Sequence, residues 1–323
     1  MSSTDPAFAG PPRREVAPLG GSDPRSDKTW RLNLIGCGRV AKTLARLWHM
    51  HDRLQIQDVL TTSPASAAAA IEFIGAGRAA SRLADMRPAD LWMIATPDSQ
   101  VADVAGQLAG VQTAHAAHGA PKAQLSSGTT PPLVFHGSGA LGSDQLTLLH
   151  ALGWRTASAH CLLSFATPLM AVSQFTGTAC ALEGDPIACT TLRAAFTAIG
   201  ARCFEVASAD KLLYHAAAVF ATNFLPVLQS VAEDLWRSTG VPPQLIPELR
   251  ASLLTHAVAN INALGPQGAL TGPAARGDVA AIARQGAAVA AWSGDAGAAY
   301  AALSALALQM AQACAPSAGK SKT

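Results

Sequence analysis

Two patterns of apolar and polar positions alternate along the first two-thirds of the chain. Short apolar runs bounded by Gly, Pro, Ser or Thr predict β-strands, whereas apolar residues that recur every three or four positions predict helices of about ten residues. The predicted strands are 30–35, 54–60, 91–95, 133–136, 156–160, 178–182 and 201–206. The predicted helices between them are 39–50, 65–73, 100–108, 143–152 and 186–199.

This alternation ends near Ser208. Strands that alternate with helices favour an α/β domain with a parallel sheet. After Ser208 only helical patterns follow, at 209–239 with a break near Pro226, and at 243–264, 274–285 and 296–313. We therefore predict a Rossmann-like domain over 30–207, with its core at 30–158, and a helical domain over 208–315. The polar segments 1–29 and 316–323 are expected to be flexible tails.

The first predicted strand leads directly into a glycine-rich turn, Gly36-Cys37-Gly38-Arg39-Val40-Ala41. It fits G-x-G-x-x-A, in which the first Gly permits a tight turn and the second lets the backbone approach a pyrophosphate. The free N–H groups at the start of the following helix favour phosphate. Residues 36–40 are therefore predicted to bind a dinucleotide. The alternative is a bare turn in a scaffold that has lost its nucleotide.

The end of the second predicted strand bears on which dinucleotide is bound. NAD sites usually carry an acidic residue there for the ribose hydroxyls. Here Thr62 and Ser63 offer hydroxyls to a 2′-phosphate, Arg39 could add positive charge, and Asp58 falls within the strand. We favour NADP and keep NAD as the alternative.

Polar residues also follow later strands, at the edge where parallel sheets bind ligands. Thr96 and Pro97 are predicted to face the nicotinamide ribose, although they could equally form an ordinary strand end where Asp98 or Ser99 caps a helix. Ser138 and His160 follow or end the next two strands and are candidates for binding substrate. A structural role is the alternative for His160.

The helical half carries further candidates for the chemistry. Lys211 and His215 are four residues apart and share one face of a mostly apolar helix, which also contains Asn223. A proton-donor site opposite a nicotinamide would need such groups, and the alternative is that they are structural. In the loop 270–278, Thr271 and Arg276 could bind substrate, whereas the next carboxylate, Asp278, is expected to cap a helix.

Composition excludes several other functions. Half of the 323 residues are hydrophobic, 14% are charged, and the formal net charge is +2. No basic stripe is interleaved with aromatic residues, so we do not expect nucleic-acid binding. The six Cys form no C-x-x-C pair, so no metal site is predicted and a reducing cytoplasm is favoured. We expect neither a signal peptide nor a transmembrane helix.

Six segments, taken in order, resemble a bacterial family of Rossmann-like oxidoreductase-type proteins with a helical C-terminal domain of unknown function. The segments are LIGCGRVAKTLA, MIATPDSQV, HGSGALGSDQL, SAHCLLSFA, DKLLYHAAAVFATN and LTGPAARGD. This architecture is similar to pyrroline-carboxylate reductase, ketopantoate reductase and 6-phosphogluconate dehydrogenase. The resemblance implies a 6-phosphogluconate-dehydrogenase-like helical domain and a catalytic face that begins at Lys211. The family's usual Arg after the second strand is absent at residues 61–63.

These observations lead to one main functional hypothesis and two alternatives. The main one is an NADP-dependent oxidoreductase that moves a hydride to or from a small carbonyl or imine at the interdomain cleft. Lys211, assisted by His215, would move the proton. The alternatives are a non-catalytic NADP-binding sensor or interaction protein, and a structural dimer without nucleotide. We expect the Ala- and Leu-rich helical half to form a homodimer.

Overall fold

The computed structural model describes residues 29–117 and 130–314. These residues form two compact units, and the chain passes from the first to the second between Thr222 and Asn223. The tails predicted at 1–29 and 316–323 lie outside the described residues, apart from Thr29. The domain boundary predicted between residues 207 and 208 stays a prediction.

One sheet organises the first unit. Its strands are β1 (Trp30–Ile35), β2 (Leu54–Leu60), β3 (Arg78–Ala80), β4 (Leu91–Ile94), β5 (Leu133–His136), β6 (Arg155–Cys161), β7 (Ala179–Gly184) and β8 (Arg202–Glu205). Their order across the sheet is β3-β2-β1-β4-β5-β6-β7-β8. All neighbouring strands are parallel except β6 and β7, which are antiparallel. The predicted Rossmann-like fold is confirmed.

Helices cover both faces of this sheet. They are α1 (Arg39–Met50), α2 (Pro64–Ile74), α3 (Val101–Ala117), α4 (Thr147–Ala151), α5 (Pro168–Gln174), α6 (Pro186–Thr197) and α7 (Lys211–Ala218). Successive strand residues point to opposite faces. Met93 and Phe135 therefore belong to a core with Trp48 of α1, whereas Ile94 and Val134 belong to a second core with α3. The two cores hold the carboxyl ends of the strands in fixed positions.

Three features of the first unit differ from the expected pattern. The short strand β3 and the helix α5 were not predicted, because three and seven residues are too few to show a clear periodicity. The third feature is the antiparallel pairing of β6 and β7, which places Ser158 opposite Glu183. Because β7 runs antiparallel to β6, it begins at the edge of the sheet where β6 ends, and the chain does not have to cross back over the sheet.

The second unit is helical, as expected. Its helices are α8 (Phe224–Ser238), α9 (Ile246–Gly268), α10 (Gly272–Ala275), α11 (Val279–Trp292) and α12 (Gly294–Cys314). The break expected near Pro226 comes slightly earlier, as a π-helical segment over Val219–Asn223. Pro226 lacks an N–H and its ring crowds the carbonyl of Thr222, so the preceding turn cannot remain regular.

One helical stretch, Ser208–Ser238, is long and apolar enough to cross a membrane, judged by length and composition. No such stretch was expected from the sequence. A single stretch of this kind is weak evidence for a membrane span, since core helices pass the same test. Its first turn belongs to the first unit, because Lys211 donates hydrogen bonds to Ser138 and Ser158 of that unit.

Candidate functional site

A cavity of about 760 Å³ lies at the carboxyl ends of β1, β2, β3 and β4. Ligands bind at this edge of open α/β sheets. The cavity is bounded by the glycine turn, by hydroxyl groups after β2 and β3, and by α3 from Val104 to Ala114. The lining includes Gly36, Thr61, Thr62, Ser81, Arg82 and Thr96.

The two glycines of the turn have different physical roles. Gly36 has a φ of +79°, and a Cβ there would lie 2.7 Å from the carbonyl oxygen of Ala95. Gly38 starts α1 without a side-chain cap, and a Cβ there would meet nothing within 4 Å. The open space beside Gly38 and the free N–H groups that begin α1 together suit a pyrophosphate. Cys37 lies between the two glycines in sequence. Burial raises the pKa of its thiol to about 11, so the side chain adds no negative charge beside the pyrophosphate position.

Asp58 is unavailable to the ribose of a nucleotide. Its carboxylate is buried and accepts hydrogen bonds at 2.8 Å from the guanidinium groups of Arg78 and Arg87, and at 2.7 Å from the Arg87 N–H. Burial raises the pKa of Asp58, but these hydrogen bonds outweigh it and lower the pKa to about 2. The carboxylate therefore secures β2 to β3 and to the segment before β4.

Basic charge reaches the cavity from a position that the sequence did not indicate. Arg82, after β3, lines the cavity beside Thr62 and pairs with Asp85 at 2.9 Å. Two residues predicted to bind the cofactor have other partners. Ser63 accepts a hydrogen bond from the Ser66 N–H and caps α2, while Arg39 donates to the carbonyl of Ala166.

The loop after β4 links the cavity to a polar cluster. The Thr96 hydroxyl is buried and has no hydrogen-bond partner in the described part of the chain. Two residues later, after the exposed Pro97, the Asp98 carboxylate accepts a hydrogen bond of 2.7 Å from the Ser138 hydroxyl. Asp98 is itself the first residue of the short helical turn Asp98–Gln100 that precedes α3. The Ser138 hydroxyl also accepts hydrogen bonds from the backbone of Ala140 and Leu141, so it is fully engaged in its own loop.

Lys211 lies at the centre of this cluster and is only 2% exposed. Its ammonium group donates to the Ser138 carbonyl at 3.1 Å and to the Ser158 hydroxyl at 2.6 Å. Ser158 in turn donates to Glu183 at 2.8 Å. Burial lowers the pKa of Lys211, although the nearby carboxylates of Glu183 and Asp98 oppose the change. Because its lowered pKa makes the ammonium group easier to deprotonate than that of an ordinary lysine, Lys211 is suited to give up a proton and to take it back.

Two histidines lie beside the lysine. The His160 Nδ1 lies 2.9 Å from the Tyr214 hydroxyl, and its ring is 5.3 Å from the ring of His215. Burial, followed by the charges of His215 and Lys211, lowers the pKa of His160 to about 4. His160 is therefore neutral at neutral pH. The Nδ1 of His215 is buried and has no hydrogen-bond partner among the described residues.

The loop glycine, Gly139, makes the approach of the histidines possible. A Cβ at this position would lie 2.9 Å from the His160 ring and still closer to His215 Nδ1. A larger residue would therefore displace both rings. The two histidines and the 136–142 loop form one wall of the cluster.

The structure brings four of the predicted catalytic or substrate-binding residues together. They are Ser138, His160, Lys211 and His215, all in the first unit. Asn223, Thr271 and Arg276 are exposed residues of the helical unit. As expected, Asp278 caps a helix, since it accepts a hydrogen bond from the Ala281 N–H of α11.

Three participants in the cluster were not predicted. Ser158 and Tyr214 lie within motifs that the sequence did highlight, at SAHCLLSF and ADKLLYH. Glu183 follows an apolar strand pattern, and an isolated carboxylate at such a position was the available signal. Its partners, Ser143, Ser158 and Ser208, are 25 or 40 residues away in sequence, so local patterns could not connect them.

Comparison with known proteins supports this architecture. Residues 178–307 match a family model described as a domain of unknown function, DUF2520. The sequence matches none of the curated proteins closely enough to indicate a relative. The resemblance to Rossmann-like oxidoreductase-type proteins with a helical C-terminal domain is confirmed.

Many solved structures share the fold, and three of them illustrate the likeness. A Thermotoga maritima protein is 23% identical, with a TM-score of 0.63, and the match covers 87% of this chain and 98% of that one. A candidate NADP oxidoreductase from Bacteroides fragilis is 20% identical, with a TM-score of 0.65 and the same coverage. Pyrroline carboxylate reductase from Plasmodium falciparum, solved with NADP bound, is 11% identical, with a TM-score of 0.53 and again 87% and 98% coverage. At these identities the likeness establishes the fold.

Proposed function

We propose that the protein is an NADP-dependent oxidoreductase that transfers a hydride to or from a small carbonyl or imine compound. The observation that carries this proposal is the loop 96–98. It joins a cavity suited to a dinucleotide to a cluster that contains the buried Lys211. The named activity of one structural neighbour, reduction of a pyrroline, supports an imine as one substrate class.

NADP fits the residues that line the cavity and those beside it at the start of α1. The backbone at Gly38 and the start of α1 would hold the pyrophosphate, while Thr62, Ser81 and Arg82 would bind the 2′-phosphate. The unpartnered Thr96 hydroxyl would bind the ribose or amide at the nicotinamide end. When bound, the cofactor supplies or accepts the hydride. NAD is the less favoured cofactor, because Asp58 is already bound by two arginines.

Lys211 is the proposed acid and base. Two of its three N–H groups are used by Ser138 and Ser158, and the third has no partner in the described part of the chain. That N–H would donate a proton to the substrate oxygen or nitrogen during reduction. The free Nδ1 of His215 and the neutral His160 would position the substrate. A hydrogen bond from Ser138 to substrate would require its hydroxyl to leave Asp98.

The helical unit supports the further proposal of a homodimer. Ile246 is the one large apolar side chain that is fully buried among residues 223–314. Leu253, Leu264 and Leu306 are each more than half exposed. Exposed apolar surface on this scale needs a cover, and a second copy of the same unit provides a matching one. We also propose that the protein works in the cytoplasm with a small-molecule substrate.

The first test is a fluorescence titration of the purified protein with NADPH and with NADH. Wild-type protein should bind NADPH more tightly, and Gly38→Asp should lose binding because its carboxylate opposes the pyrophosphate. Lys211→Ala should retain NADPH binding and lose turnover in a screen of carbonyl and imine compounds. Failure of the wild type to bind either nucleotide would reject the proposed function. Turnover that survives Lys211→Ala would reject the role of the lysine.

A further inference from the structure

The hydrogen bonds of Lys211 continue beyond Ser158. The Ser158 hydroxyl donates to Glu183 Oε2 at 2.8 Å, and Glu183 is itself 6% exposed. This carboxylate also accepts hydrogen bonds from the Ser143 N–H and hydroxyl and from the Ser208 hydroxyl, at 2.6–2.8 Å. An unbroken series of hydrogen bonds therefore runs from a buried ammonium group to a buried carboxylate.

The far end of this series reaches a second cavity, of about 440 Å³. Ser143, Glu183 and Ser208 line it, together with the exposed residues Asp144 and His150. It shares no lining residue with the nucleotide cavity. Glu183 is thus placed between Lys211 and solvent on a route that a bound cofactor would not obstruct.

We propose that Ser158 and Glu183 form a proton relay that connects Lys211 to this second cavity. The inference rests on the proposed function, in which Lys211 gives up a proton in each turnover. At 2% exposure the ammonium group has little direct access to water. A relay restores its proton without opening the site.

The proton balance is simple. After Lys211 has protonated the substrate, its neutral amine accepts the Ser158 hydroxyl proton. Ser158 takes a proton from Glu183, which has received one from water in the second cavity. The net change is one proton from solvent to Lys211, and no electrons move. At rest Glu183 is ionised, because hydrogen bonds from three serines outweigh burial and lower its pKa.

Several charged or titratable groups surround the lysine. They are Glu183 and Cys180 on β7, Asp98 after β4, Asp144 before α4, His136 at the end of β5, His160 on β6 and His215 on α7. Only Glu183 is joined to Lys211 through a single hydroxyl group. Asp144 lines the same cavity, and its carboxylate accepts a hydrogen bond from the neighbouring Gln145, so it provides a matched control.

The test is the exchange rate of the Lys211 ammonium protons with water, measured by NMR on the full-length protein labelled with ¹⁵N-lysine. The Lys211 signal is assigned from its loss in Lys211→Arg. Fast exchange is expected in wild type and in Asp144→Asn. Glu183→Gln and Ser158→Ala should each slow it by about tenfold or more, since a positioned proton-transfer group contributes at least that much. Ser158→Thr, which keeps the hydroxyl, should restore fast exchange.

Each outcome bears on the relay separately from the proposed function. Slow exchange of the Lys211 protons in wild type would overturn the relay. So would an unchanged exchange rate in Glu183→Gln or in Ser158→Ala, provided that the variant folds. Glu183 would then only fix Ser143 and Ser208 and balance the lysine charge. NADPH binding is measured on the same samples. Slowed exchange of the Lys211 protons in Glu183→Gln and Ser158→Ala, with NADPH binding intact, would support the relay. If the wild type does not bind NADPH, only the oxidoreductase proposal is rejected.

Discussion

Gly36 passes so close to Ala95 that a Cβ on the glycine would lie 2.7 Å from the alanine carbonyl oxygen. The contact holds the turn after β1 against the end of β4. Since Gly36 also has a φ of +79°, Gly36→Ala adds backbone strain to a steric clash. We expect it to lower the free energy of unfolding by about 2 kcal/mol or more, as measured by urea denaturation.

Gly38→Asp is the matched control for that experiment. It places its side chain in open space at the start of α1, where an aspartate favours a helix. Its stability should equal or exceed that of wild type, while NADPH binding is lost. Equal stability of Gly36→Ala and wild type would contradict the structural role given to the first glycine.

Arg82 is expected to determine the preference for NADPH over NADH. Arg82→Ala should weaken NADPH binding by about ten- to a hundredfold, because a charged hydrogen bond to phosphate is lost, and should leave NADH binding unchanged. Asp85→Asn removes the competing partner of Arg82 and should strengthen NADPH binding by up to about fivefold. Equal losses for both nucleotides in Arg82→Ala would place the 2′-phosphate elsewhere.

Asp58 provides a second test of the preference for NADPH over NADH, because it is a residue that should not influence this preference. Its lowered pKa means that the ionised form stabilises the fold above pH 3.8, and that this contribution is lost as the pH falls towards 2. Asp58→Asn should lower the free energy of unfolding at pH 7 by about 2 kcal/mol, because Arg78 and Arg87 lose their charged partner but stay half exposed to water. The ratio of NADPH to NADH affinity should not change. A shift in that ratio would show that Asp58 contacts the ribose.

Local patterns were sufficient to predict most of the first unit. β1, α1 and β2 have the predicted bounds, because each apolar run is flanked by turn residues. The glycine turn was also recognisable, since its spacing reflects backbone geometry alone. The lysine helix stood out because charged groups are rare on so apolar a stretch.

The parts that were missed depend on contacts between distant segments. β3 has three residues, so nothing local indicated that Arg82 would follow a strand and line the cavity. Glu183 meets Ser158 only because β7 runs antiparallel to β6. The sequence predicted a parallel arrangement, in which this pairing would not arise. Register between strands is a tertiary property, and it decides which polar groups meet Lys211.

His160 should make the protein sensitive to acid. Its folded-state pKa of about 4 is below the ordinary value of 6.5, so the unfolded chain binds more protons between these values. Stability should therefore fall as the pH drops from 6.5 towards 4, by at most about 3 kcal/mol, and change no further from this group below 4. His160→Gln should flatten that part of the curve in thermal unfolding from pH 4 to 7. An unchanged slope would mean that His160 is not held neutral.

The proposed dimer can be tested through the exposed side chains of the helical unit. Leu253 and Leu264 of α9 are 55% and 62% exposed in a single chain. Burial of either side chain against a partner would be favourable, because it removes apolar surface from water. If a second copy covers them, a buried glutamate at either position would be strongly unfavourable. Light scattering at micromolar concentration should show a dimer for wild type and a shift to monomer for Leu253→Glu and Leu264→Glu. Leu148→Glu is the control, because Leu148 is equally exposed, at 60%, but belongs to the first unit. A monomeric wild type would contradict the dimer, and dissociation by the control variant alone would move the interface to the Rossmann-like unit.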